Sequence, residues 1–198
     1  LGALTVWKLL DPSVVSGHLA VALLLFAALL ALALIARHES APERRAAPAR
    51  APGLRGWFAA ASVAIWAQAV LGGMVSTNHA SLACPDWPTC QGEWFPALTG
   101  LVGLQVAHRY GAYLLIALLA TVAWRSQRSA DLAVRVIGML LGLLVVVQSM
   151  VGVINVFLAI PVWVSALHLG IATALLALAI VGTFRLAAVR APEGAATG

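Results

Sequence analysis

GLQVAHRYGAY, residues 103–113, is the stretch on which the reading of this chain turns. It sets His108 and Arg109 on an apolar segment long enough to cross a bilayer, which takes about 20 residues of helix. An ionisable ring at membrane depth is costly unless it has a partner, so His108 is a candidate functional residue from the outset. The composition agrees with that setting. Of 198 residues, 62% are hydrophobic and only 10% are charged, more apolar side chain than a soluble domain of this size could bury.

Working outward, five segments are long enough to span: 13–36, 57–77, 99–124, 132–157 and 162–186. Residues 1–10 read as the stub of an earlier span. The expected fold is an all-α integral membrane protein. A transmembrane four-helix bundle occupies 57–186, and residues 1–36 supply one extra transmembrane helix that ends a preceding pseudo-symmetric repeat. An Arg/Pro linker (37–56) joins the two, and a tail (187–198) follows.

The basic residues sort by loop. Arg37, Arg44, Arg45, Arg50 and Arg55 lie in the linker, Arg125 and Arg128 in the loop 125–131, and Arg185 and Arg190 at the end. The loop 78–98 has neither Lys nor Arg, and the turn at 158–162 carries no charge. The positive-inside rule then puts the linker, the 125–131 loop and the C-terminus in the cytoplasm, and predicts a multi-pass protein of the bacterial inner membrane. Lys8, beside Asp11, is a mild exception. The net charge of +5 follows from this sorting, so nucleic acid is set aside as a partner and the lipid membrane takes its place. The chain opens at Leu1 within apolar sequence and without a signal peptide, which reads as a fragment or a processed piece.

An internal repeat connects the two ends. LGALTV (1–6) aligns with VGVINV (151–156) and VVSGHLA (14–20) with VSALHLG (164–170), both at an offset of 150 residues. Gly2 falls on Gly152 and His18 on His168, and Gln68-x-x-x-Gly72 is echoed by Gln148-x-x-x-Gly152. Tandem duplication of a four-helix unit accounts for this, with chance similarity among Leu/Val/Ala-rich helices as the bland alternative.

With the loops so placed, His18, His108 and His168 share one depth. Ala22, Ala112 and Ala172 follow them at i+4, and Gly111 follows His108 at i+3, leaving a flat space beside each imidazole. Two imidazoles facing each other across such a gap are the usual way to hold six-coordinate b-type haem iron in a bundle. The pair expected to do so is His108 and His168. A ring hydrogen-bonded between helices is the plain alternative for any one of them. His38 and His79 read as solvated or locally bonded. Arg109 points either to headgroups by snorkelling or to carboxylates at a porphyrin rim. Tyr110, Trp87, Trp94 and Trp163 suit an interfacial belt.

Cys84 and Cys90 are the only cysteines, separated by PDWPT. On an oxidising side a lone close pair is expected to form a disulfide. Zinc would require further ligands, and only Asp86 and His79 are near. A structural staple and a redox-active dithiol both remain open readings.

LGGMVSTNHASLACPDWPTCQGEWFP, then HRYGA, QSMVG and ALHLG, together resemble the haem A synthase family of cytochrome oxidase assembly proteins. The likeness runs through residues 57–186 and extends to 1–36. It implies a C-terminal half that holds a b-type haem between two histidines and the last helix of an N-terminal half that holds the substrate. It also implies oxidation of haem O to haem A, and as partners haem O, haem O synthase and other oxidase assembly factors. On that resemblance His108 and His168 are the axial ligands of haem b, and Arg109 is a contact for its propionates. His18 lies on the substrate-haem side, and Cys84 and Cys90 form the loop disulfide. One departure stands out: the family's reactive half has a glutamate three residues before the helical His-Arg, and here that place is Gln105. No Asp or Glu lies in the five spans as bounded above. If the chain is complete at 198 residues, one copy would lack half of the substrate site, unless two copies complement each other in a homo-oligomer. Two rival classes bear on the same residues. One is a b-type cytochrome that relays electrons without modifying haem. The other is an inverted-repeat transporter, which the parallel repeat and carboxylate-free spans disfavour.

Overall fold

The computed structural model describes residues 2–8, 11–40 and 53–187. The arginines Arg44, Arg45 and Arg50 of the linker, and the tail with Arg190, lie outside the described residues. Among the described residues six α-helices follow in order: α1 Gly2–Trp7, α2 Pro12–Ser40, α3 Leu54–Thr77, α4 Gly100–Ser126, α5 Leu132–Phe157 and α6 Val162–Ala187. A single 3-10 turn, Ala80–Leu82, interrupts the loop between α3 and α4. Helices α2 to α6 are the five that are long and apolar enough to span, so the protein is an all-α multi-pass membrane protein.

Local chemistry sets the helix ends. Asp11 caps α2, its carboxylate accepting the Ser13 N–H at 2.9 Å, while Pro12 takes the first helical position where no amide proton is needed. Asp131 caps α5 through the Ala133 N–H at 2.9 Å. Gly53, in the left-handed region at φ 76°, immediately precedes α3. Helix α2 runs on through Arg37 and His38 to Ser40, so Glu39 falls in its last turn and the extra helix is longer than the apolar run alone indicates.

Helices α3, α4, α5 and α6 form a closed bundle in which each packs on the next and α6 returns to α3, placing α4 and α6 on a diagonal. Helix α2 lies outside this ring against α3 and α6, and α1 packs on α2. Trp66 donates its indole N–H to the Ala20 carbonyl at 3.1 Å, and Ser16 meets Thr77 at 3.0 Å, pinning α2 to α3. Between helices in lipid, packing rather than hydrophobic burial supplies the attraction, and small residues let backbones approach. Gly182 makes room for the Phe58 ring and Gly138 for Ser126, both at positions a Cβ would fill. Phe58, Leu119, Leu141 and Leu175 complete a fully buried core in the half of the bundle away from the long loop. At that far end Arg125 stacks over Trp57 and Arg128 over Trp124, so the cations collect there.

A second, smaller cluster of Cys84, Cys90 and Val106, with Val102 and Tyr110 against it, closes the other end under the loop. Between the two clusters lies a layer that belongs to neither. It holds the histidines.

Candidate histidine site

His108 stands in the third turn of α4 and His168 in the second turn of α6, counted from the loop end of the bundle. Gly72 and Gly152 each stand five residues before the ends of α3 and α5, at that same end. The antiparallel course of the helices therefore brings all four to one level. A Cβ added at Gly72 would lie 2.9 Å from Cε1 of His108, and one at Gly152 would lie 3.0 Å from Cε1 of His168. Each imidazole thus rests edge-on over a glycine of the preceding helix, a seat that only a missing side chain provides. Gly2 and His18 show the same pairing more loosely, at 3.9 Å. The sequence repeat is thus matched by a repeated contact.

One glutamine attends each seat, one turn before its glycine. Gln68 donates its Nε2–H to the His108 carbonyl at 2.7 Å and also faces His108 Nδ1 at 3.0 Å, so Nδ1 accepts. Gln148 donates to the His168 carbonyl at 2.9 Å. The His168 Nδ1 is buried and closes no hydrogen bond. Gln148 Oε1 is also buried without a partner, so the two orphaned atoms belong to one glutamine and histidine pair. Gly111 serves a different purpose from the open gap expected beside the ring. A Cβ there would collide with Gln68 Oε1, so the small residue at i+3 admits the glutamine instead. On the far side of Gln68 a groove of about 260 Å³ between α3 and α4 is lined by Ala64, Ala67, Leu71 and Leu114.

Arg109 has a destination that the sequence did not indicate. Its guanidinium donates from NH1 to the carbonyls of Asp86 at 2.9 Å and Thr89 at 2.8 Å, and from NH2 to that of Cys84 at 2.6 Å. It therefore fastens α4, one residue from His108, to the loop above. Cys84 and Cys90 are joined as a disulfide, leaving neither thiol free for zinc. Inside the loop the Asp86 carboxylate accepts from the Thr89 hydroxyl at 2.6 Å and from the Gln91 and Gly92 N–H groups at 2.7 and 3.0 Å. Those donors hold its pKa well below the usual carboxylate range.

The remaining candidates sit apart from this layer. His18 is exposed on α2, His38 meets the Phe184 ring edge-on at 6.2 Å, and His79 occupies a left-handed turn position at φ 57°. Gln105 is buried; its Nε2 donates to the Ser81 carbonyl at 3.3 Å while Oε1 has no partner. Tyr110 donates its hydroxyl to the Trp94 carbonyl at 2.8 Å, so it belongs to the loop clasp, whereas Trp87, Trp94 and Trp163 are exposed at that end. Gly72, Gly152 and the two glutamines acquire a site role only in three dimensions.

The fold and site define a polytopic helical bundle with two glycine-seated histidines on diagonal helices beneath a disulfide-closed loop. The chain belongs to the cytochrome oxidase assembly protein family, whose model matches residues 1–180. It is similar to the haem A synthase of Symbiobacterium thermophilum, with 36% identity over 136 residues that cover 66% of this chain and 44% of that protein. It is also similar to the haem A synthases of Methylobacterium radiotolerans, 32% identical over 86% of this chain and 48% of that one, and of Caulobacter vibrioides, 31% identical over 88% and 53%. The chain thus spans about half the length of these relatives.

Proposed function

We propose that this chain is the cofactor-holding part of a haem A synthase, in which His108 and His168 are the axial ligands of a b-type haem and His18 borders the substrate haem. The observation that carries the reading is the histidine layer itself. Two imidazoles stand at one depth on the diagonal helices α4 and α6, each over a glycine of the preceding helix. His168 keeps a buried ring nitrogen, Nδ1, without a hydrogen bond, and His108 is engaged by Gln68 at Nδ1. An uncommitted ring nitrogen and two glycine seats fit a porphyrin iron, whose low-spin form takes two imidazoles.

When bound, the b haem supplies one-electron relay for oxidation of a ring methyl of haem O to the formyl group of haem A. The chain's own part is to seat both rings, exclude water with the apolar clusters above and below, and close the rim through Arg109 and the loop. Arg109 remains the candidate for propionates through N–H groups not spent on the loop carbonyls. The arginines at the far end support a cytoplasmic side there, and the disulfide supports an outer side at the other end, in a bacterial inner membrane.

The alternative is an electron-transfer b-type cytochrome that modifies no haem. Gln105, whose amide is bonded to the Ser81 backbone, suits both readings, because a cofactor-holding half needs no carboxylate at that place. The test has two steps. His108→Ala and His168→Ala should each abolish a low-spin haem spectrum; retention in both removes the ligand assignment. Haem extraction from protein supplied with haem O then separates the classes, since haem A among the products supports the synthase and haem B alone supports the relay.

A further inference from the structure

Gln68 and Gln148 remain unexplained by packing alone. A carboxamide inside a bilayer is expensive unless both ends are satisfied. Each is placed four residues before a glycine, on the helix face that meets its histidine. Each donates Nε2–H to the backbone carbonyl of that histidine, at 2.7 Å for His108 and 2.9 Å for His168. Neither bond is needed by the helices, whose carbonyls are already paired within α4 and α6. Gln68 Nε2 also stands 3.0 Å from His108 Nδ1, so that ring nitrogen accepts, while Gln148 Oε1 and His168 Nδ1 are each buried without a partner.

From this we infer that Gln68 and Gln148 are positioning residues for the two histidines: each carboxamide N–H holds the backbone carbonyl of its histidine across the seam between helices and so sets the direction in which the ring leaves the helix. The inference rests on the reading of His108 and His168 as haem ligands and adds the groups that orient them. A contact that fixes the backbone of a ligand governs how its ring meets a metal. At His108 the same N–H also reaches Nδ1, which adds a restraint on ring rotation. The glycine carries the ring and the glutamine sets its direction. Gln-x-x-x-Gly is therefore one unit, and its recurrence at 68–72 and 148–152 matches the two ligands.

The test is the haem-loaded protein in membranes, read by electron paramagnetic resonance of the ferric low-spin haem and by redox titration. Gln68→Leu and Gln148→Leu should keep haem within about twofold of the native content, since both ligands remain. They should shift the g-values and the midpoint potential, because the ring planes turn once the restraint on the histidine backbone is lost. Gln148→Glu, whose ionised carboxylate cannot donate to the His168 carbonyl, should behave like the leucine variant. Native g-values and potential in both leucine variants would overturn the inference. If the leucine variants fail to accumulate, Gln68→Asn and Gln148→Asn, which keep an amide one methylene short, decide it by the same two readouts. A low-spin spectrum that survives His108→Ala and His168→Ala would instead sink the ligand reading, so the two failures are distinguishable.

Discussion

Gly152 lies directly under the imidazole of His168, with no room for a methyl group between the two helices. An added Cβ would stand 3.0 Å from Cε1, against 2.9 Å at Gly72 under His108 and 3.9 Å at Gly2 under His18. The ranking is a prediction. Alanine stabilises a helix interior by about 1 kcal/mol over glycine, so any loss must come from the ring being pushed aside. Gly72→Ala should lower the low-spin haem content several-fold, Gly152→Ala less, and Gly2→Ala not measurably. Optical titration of purified membranes with haem measures it, and identical behaviour of all three variants would argue against the seats.

Arg109 clasps three loop carbonyls, and hydrogen bonds from a charged donor contribute about 1.5–3 kcal/mol each without adding fully. Arg109→Ala should cost roughly 3 kcal/mol of stability. It should also speed reduction of the Cys84–Cys90 disulfide by a membrane-impermeant phosphine. Arg109→Lys should recover only part, because a single ammonium cannot reproduce the planar fork that reaches Cys84, Asp86 and Thr89 together. An unchanged reduction rate in Arg109→Ala would show that the loop stands without its clasp.

Asp86 gives the loop a defined response to acid. Its folded-state pKa is depressed by the Thr89 hydroxyl and the Gly92 and Gln91 N–H groups. A depressed carboxyl contributes stability that is fully present above its ordinary value, about 3.9, and is lost as pH falls through the folded value. Protection of the loop amides from hydrogen exchange, corrected for intrinsic rates, should therefore stay level from about pH 8 down to about pH 5 and weaken only in stronger acid. Asp86→Asn should lower protection at neutral pH and abolish the acid transition. A loop that opens near neutral pH in the native protein would contradict this arrangement.

The two halves of the site were unequally visible in the sequence. The five spans are legible because the helices α2 to α6 are long and apolar with only scattered polar residues, and their ends move only where something other than hydropathy decides. Gly53 with its left-handed φ sets the start of α3, and α2 outlasts its apolar run because Arg37 and His38 continue the helix. His108 and His168 announce themselves as rings at membrane depth. Their seats do not, because Gly72 is 36 residues from His108 and only the pairing of α3 with α4 makes them neighbours. The Gln-x-x-x-Gly echo was present in the sequence as a repeat, without the contact that gives it meaning. Arg109 was hidden for a related reason. A flexible cation near a helix end has several satisfactory destinations, and only the fold of residues 84–89 brings carbonyls within its reach.

At the opposite end of the bundle, Asp131 couples the start of α5 to α6. Its carboxylate caps α5 through the Ala133 N–H and accepts Arg185 Nε at 2.6 Å and NH2 at 3.2 Å. The cap is worth about 1 kcal/mol. The ion pair adds about 0.5–1 kcal/mol, at the modest end of the scale because the Arg185 side chain is 39% exposed. Asp131→Ala should therefore lose roughly 1.5–2 kcal/mol, and Arg185→Ala only the ion-pair part. Desolvation raises the pKa of Asp131, but the Arg185 guanidinium and the Ala133 N–H outweigh it and the net shift is downward. The contribution is consequently complete above the ordinary carboxyl value and fades as pH falls through the depressed one. A double-mutant cycle on Asp131 and Arg185, followed by denaturation in mild detergent at neutral pH, isolates the pair. A coupling energy of zero would mean that Asp131 acts as a helix cap alone.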